Sequence, residues 1–114
     1  MKEKKKKKKV CHITSAHNSN DIRVFVKECA SLAENGFETY LVAEGENKEI
    51  NNVKILGIGK KPTNRFVRMV FFARKAYRIA KETNCDIYHI HDPELLPYGL
   101  KLLKAGKKVI FDSH

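Results

Sequence analysis

The sequence predicts an α/β fold built on a doubly wound, largely parallel sheet, and three features carry that prediction. Short apolar runs alternate with amphipathic helical runs in the order β-α-β-β-α-β-α-β. The strand runs are nearly continuous in apolar residues, as expected when helices cover both faces of a sheet. Ionisable residues gather where strand runs end, which is where doubly wound sheets bind ligands.

Each element has its own local reason. Val10 to Ser15 is a short apolar run and the first strand. A polar loop follows, Ala16-His17-Asn18-Ser19-Asn20, and Asp21 is a helix N-cap candidate. Apolar residues at Ile22, Val26, Cys29 or Ala30, and Ala33, with Phe25 and Leu32 beside them, have helical spacing. Asn35-Gly36 stops that helix, because glycine takes the left-handed conformation a helix end requires. Phe37 to Ala43 is the second strand, Gly45 to Asn51 a polar turn, and Val53 to Ile58 the third strand. Pro62-Thr63-Asn64 opens a long helix that runs to about Thr83, with Phe66, Val70, Ala73, Tyr77 and Ala80 on its apolar stripe. Asp86 to His91 is the fourth strand. Pro93 suits the first turn of a helix continuing from Leu95 to Lys104. Ala105-Gly106 ends it, and Lys107 to Phe111 is the fifth strand. The handedness of parallel crossovers puts the first strand at the centre, with the second and third to one side and the fourth and fifth to the other.

Charge and composition narrow the function classes. The formal charge is +10, yet seven of the 23 basic residues are Lys2 and Lys4 to Lys9, so the imbalance is mostly a property of the tail. Residues 1–9 are expected to be a disordered, solvated lysine-rich tail, and residues 10–114 a partial domain. The tail has no interleaved aromatic residue on which bases would stack, so no specific nucleic-acid partner is expected. No run approaches the length of a membrane span, and the lysines are not followed by the apolar segment of a secretion signal. Cys11, Cys29 and Cys85 lack metal-ligand spacing and sit in apolar patterns. They are expected to be buried free thiols in a reducing, cytoplasmic compartment.

The ends of the strands bring together Ser15, His17, Asp21, Arg23, His91, Asp92, Glu94 and His114 as an expected site rim. The plain alternative is that the acids cap helices and the histidines satisfy backbone groups. Arg23 has the planar fork that holds a phosphate or carboxylate, and His91 at a strand end can hydrogen-bond a hydroxyl or exchange a proton near neutral pH. The first loop lacks glycine, so neither a P-loop nor a dinucleotide turn is present there. His89 and His91 share one strand face, a spacing that can ligate zinc. His89 lies within the strand, however, and no metal is expected.

The segments CHITSAHNSNDIRVFVKECASLAENGFETYLVA and DIYHIHDPELLPYGLKLLKAGKKVIFDSH resemble the amino-terminal domain of family 4 glycosyltransferases. The motifs are the HDPELLP phrase before a helix, the strand ending D-x-H, and the DxR helix start followed by KEC and LAENGFE. The resemblance implies an incomplete amino-terminal Rossmann-like domain of the two-domain GT-B architecture. It implies retaining transfer of a sugar from a nucleotide-sugar donor to a glycan or lipid-linked acceptor, with the nucleotide sugar as co-substrate and no other cofactor. The rim residues above would lie on the acceptor side, and no catalytic residue is assigned among them. Donor contacts would come mainly from a second domain, so the 114-residue chain is expected to be inactive alone. A fifth strand left at the sheet edge is expected to invite pairing with another chain.

Two other classes remain open at this stage. The long helix carries Arg65, Arg68, Arg74, Lys75, Arg78 and Lys81 against Glu82, together with Phe66, Phe71 and Phe72, and a basic amphipathic helix can lie on an anionic membrane surface at its cytoplasmic face. The plainer reading of that helix is a core-facing stripe with a solvated basic face. A phosphate-binding α/β module such as a response-regulator receiver would need acids at the end of the first strand, where Thr14-Ser15-Ala16-His17 stand instead.

Overall fold

The computed structural model describes residues 8–15 and 19–112, with residues 19–24 described by their backbone alone. Strands β1 (Lys9–Ile13), β2 (Glu38–Ala43), β3 (Lys48–Ile50), β4 (Val53–Gly57), β5 (Ile87–Ile90) and β6 (Lys108–Phe111) form one sheet in the order β3-β4-β2-β1-β5-β6. All neighbours are parallel except β3 and β4. The first strand is central, with the crossover arrangement expected of a doubly wound sheet.

The polar segment expected to be a turn contains β3, which pairs antiparallel with β4 from Lys48↔Ile55 to Ile50↔Val53. The two-residue connection Asn51-Asn52 has φ of 52° and 67°. Positive φ at both central residues is the signature of a type I′ hairpin turn, and asparagine tolerates it. All three β3 residues are exposed, so no apolar alternation marked this edge strand.

Side-chain alternation divides the core between the two faces. On one, Cys11 and Ile13 of β1, Val42 of β2 and Tyr88 and Ile90 of β5 pack against Phe72, Ala73, Ala76, Ala80 and Leu102. These come from the helical run α2 (Arg65–Val67), a π-helical turn (Arg68–Phe72) and α3 (Ala73–Glu82), and from α4 (Leu96–Lys104). Alanines at 73, 76 and 80 bring the α3 backbone close to the sheet. Tyr88 is fully buried, and its hydroxyl is satisfied by donating to the Ala80 carbonyl at 3.2 Å and accepting from the Cys85 N–H at 3.0 Å. On the other face, α1 (Ser19–Glu34) lays Phe25, Val26 and Cys29 over Leu41 and Ala43 of β2 and Val53 and Ile55 of β4. Each fully buried aliphatic side chain stabilises the fold by about 1.5–3 kcal/mol.

Helix ends follow local chemistry. The Asn64 side chain accepts from the N–H groups of Phe66 and Val67 at 2.9 and 3.1 Å, capping α2. Gly36, just past α1, has φ of 93°. α1 begins at Ser19, so Asp21 lies inside its first turn rather than at the cap expected for it. The expected regular helix over residues 64–83 is interrupted by the π turn, and Phe66 and Val70 of its supposed core stripe are exposed. All three cysteines are buried free thiols.

Candidate functional site

Parallel pairing of β1 with β5 places their carboxyl ends side by side. The ladder continues past the strands, the His91 N–H donating to the Ile13 carbonyl at 3.2 Å. Thr14 and Ser15 therefore meet Asp92 across a sequence separation of more than 75 residues. One oxygen of Asp92 accepts both the Thr14 hydroxyl at 2.8 Å and the Ser15 N–H at 2.6 Å. Thr14, Ser15 and Asp92 are all buried. Asp92 holds an extended backbone, as a residue before proline must, and its side chain does not cap the turn that follows at Pro93–Leu95. Its carboxylate ties the ends of two strands together. Hydrogen bonds to an ionised acceptor are each worth about 1.5–3 kcal/mol. Glu94, half-buried, accepts the Ser15 hydroxyl at 3.2 Å.

Behind this junction lies a stack of three imidazoles. His12 and His89 are register partners on β1 and β5, and His91 follows two residues on, so all three occupy the α1 face of the sheet. Ring centroids are 4.6 Å apart for His12–His89, 4.4 Å for His89–His91 and 5.2 Å for His12–His91, with interplanar angles of 15° to 35°. His12 Nδ1 and His91 Nε2 share a hydrogen bond of 2.9 Å, and the Phe25 ring of α1 covers His91 at 4.4 Å. Burial, then the neighbouring His89 and His91, push the His12 pKa down from 6.5 to about 3, so its ring is neutral. His12 Nε2 has no hydrogen-bond partner. His89 is more open, its side chain 20% exposed, and its Nε2 approaches an Asp112 oxygen at 3.5 Å.

Among the described residues, this stack is where metal-ligating side chains come together, with ligand nitrogens within 4.8 Å of one another. Imidazole lone pairs lie in the ring plane, so near-parallel rings direct them along parallel planes rather than to a common centre. The shortest nitrogen–nitrogen contact is already a hydrogen bond. The geometry is that of a ring stack closed by that hydrogen bond.

Of the residues expected at the rim, Ser15, Asp92 and Glu94 are joined directly. His91 is adjacent in sequence but buried, and it turns to His12. His17 and His114 lie outside the described residues, as do the side chains of Asp21 and Arg23. His12 was missed by sequence reasoning. The available signal was strand parity: once β1 and β5 are paired in parallel, a histidine in the middle of β1 falls beside the His89-x-His91 face.

The family model described as Glycosyltransferase Family 4 matches residues 22–114. The matched span runs from within α1 through His91, Asp92 and Glu94, and leaves outside it β1 with its His12, and Thr14 and Ser15 just past that strand. No curated protein matches the chain.

Proposed function

The chain belongs to glycosyltransferase family 4, a retaining family, and we propose that it is the acceptor-side part of a transferase moving a sugar from a nucleotide-sugar donor to a glycan or lipid-linked acceptor. The observation that carries this reading is the Ser15–Asp92–Glu94 junction at the carboxyl ends of two adjacent central strands. Asp92 holds the backbone in place. Glu94, half-buried and anchored through one oxygen to Ser15, retains lone pairs that can accept a hydrogen bond from a sugar hydroxyl. His91, held by its hydrogen bond to His12, precedes Asp92 in the chain. His17, Asp21, Arg23 and His114 complete the proposed acceptor rim. Stabilising the departing nucleoside diphosphate is assigned to a second, donor-binding domain of the GT-B architecture, so the 114-residue chain by itself is proposed to be inactive.

The test uses the product of the full gene, beside the 114-residue chain. Nucleoside diphosphate release is measured over a panel of nucleotide sugars with a lipid and glycan extract as acceptor. Turnover is expected, falling by about 10-fold or more in Glu94→Gln, in line with loss of a charged hydrogen-bond acceptor. Full activity of Glu94→Gln removes the rim from the reaction. Turnover by the 114-residue chain overturns the division between acceptor and donor domains.

A further inference from the structure

The helical run from Arg65 to Glu82 presents an unusual outer surface. Its core side is Phe72, Ala73, Ala76 and Ala80, all buried. Away from the core, Phe66 is 71% exposed and Phe71 59%, and Met69 and Val70 are also exposed. Four large apolar side chains within six residues are thus left in solvent beside a helix whose core contacts are made by others. The same run and the residues just before it carry the exposed cations Lys60, Arg65, Arg74, Lys75, Arg78 and Lys81. From Ile50 to Lys81 the chain has no acidic residue at all.

The π turn makes this face. The Ala73 N–H reaches the Arg68 carbonyl, five residues back, so the turn holds more residues than an α-helical one. Five residues of regular α-helix rotate a side chain about 140° away from the first, whereas a π turn brings it round to nearly the same side. Phe71 thereby joins Phe66 on the outside while its neighbour Phe72 enters the core. Val70, Arg74 and Arg78 continue outward at four-residue intervals, all exposed.

We propose that this face is a docking surface for an anionic lipid bilayer, with Phe66 and Phe71 entering the boundary between headgroups and acyl chains and the surrounding arginines and lysines contacting lipid phosphates. Charge complementarity selects the occupant. One sign of charge, carried on long side chains that keep their heads in water while their stems lie along apolar surface, suits a plane of anionic headgroups above hydrocarbon. The inference does not depend on sugar transfer, since a bilayer contact is read without a donor or an acceptor.

The sequence contains no tryptophan, so Phe71→Trp provides a single fluorescent reporter at an exposed position. It is titrated with vesicles of phosphatidylcholine alone and of phosphatidylcholine with phosphatidylglycerol at seven to three. A blue shift of emission and partitioning at least about 10-fold stronger are expected on the anionic vesicles, both weakening as salt rises. Arg74→Gln/Arg78→Gln should lower that partitioning about 10-fold, and Phe66→Ser/Phe71→Ser should lower it while the net charge is unchanged. The lysine tail is tested separately by changing Lys4 to Lys9 to glutamine. Binding that is lost in the tail variant but intact in both helix variants overturns the proposal. So does tryptophan emission that stays at its aqueous position on bound vesicles. A blue shift that grows with protein concentration in the absence of lipid identifies the face as a contact between copies of the chain, and likewise overturns it.

Discussion

The neutral His12 ring makes stability depend on pH in a way that can be isolated. In the unfolded chain a histidine titrates near 6.5, whereas folded His12 is pushed down to about 3 by burial and by His89 and His91. Above pH 6.5 the ring is neutral in both states and the fold carries no penalty. As pH falls from 6.5 towards 3 the unfolded chain binds a proton that the folded chain does not, so stability is lost over that window. The slope is about 1.36 kcal/mol per pH unit, which gives about 2 kcal/mol lost from this one group between neutrality and pH 5. The pH 5 figure requires only that the folded pKa lie well below 5. The perturbation is His12→Leu, close to histidine in volume and unable to titrate. It removes the hydrogen bond to His91, so the variant should start about 1–2 kcal/mol less stable at pH 7.5. Its acid dependence should then be shallower than that of the parent. The assay is urea unfolding at pH 7.5, 6 and 5. With an m-value of about 1.5 kcal/mol/M, the parent's midpoint should fall by about 1.3 M more than the variant's across that range. The two chains losing the same stability between pH 7.5 and 5 would refute a His12 held neutral by the fold.

Three further outcomes follow from the packing. A Cβ added at Gly57 would overlap the Gly45 carbonyl oxygen and lie 2.7 Å from Glu46 Cα, both backbone atoms that cannot swing aside. Gly57→Ala should therefore cost about 3 kcal/mol in urea unfolding, and a loss below about 1 kcal/mol would mean that the β4 end gives way easily. Asp92→Ala leaves the Thr14 hydroxyl and the Ser15 N–H without this acceptor and should cost about 3 kcal/mol, whereas Asp92→Asn, which keeps a carbonyl oxygen, should recover more than half of that; equal losses in the two variants would contradict the clamp. Cys11, Cys29 and Cys85 are buried, and burial pushes the Cys29 thiol up to about 12. An aromatic disulfide reagent should thus modify all three only on the timescale of unfolding, and rapid labelling of native protein would show that the α1 packing opens locally.

The antiparallel hairpin and the imidazole stack depend on the same sheet but were unequally visible in the sequence. β4 showed itself through Val53, Ile55 and Ile58, which are buried. β3 has no buried residue and exists because the Asn51-Asn52 turn returns the chain along β4. Edge strands held by backbone pairing alone leave no periodic trace. The long helix shows the converse. Its apolar content is plain in the sequence, yet Phe66 and Val70, which helical periodicity puts on the core stripe, stand in solvent, because one π turn changes the phase of the helix relative to the sheet.

The sequence by itself determined the order of the elements, most helix ends, the central place of β1 and the grouping of ionisable residues at the strand ends. These rest on local properties: apolar periodicity, the left-handed tolerance of glycine, the fixed φ of proline. Only the tertiary structure decided that one Asp92 oxygen binds Thr14 and Ser15, that Glu94 is held by Ser15, and that His12 completes a stack with His89 and His91. Each of these contacts joins residues 77 to 79 positions apart. Their partners are chosen by the register of β1 against β5, and a register is a relation between two strands that neither strand's own residues contain.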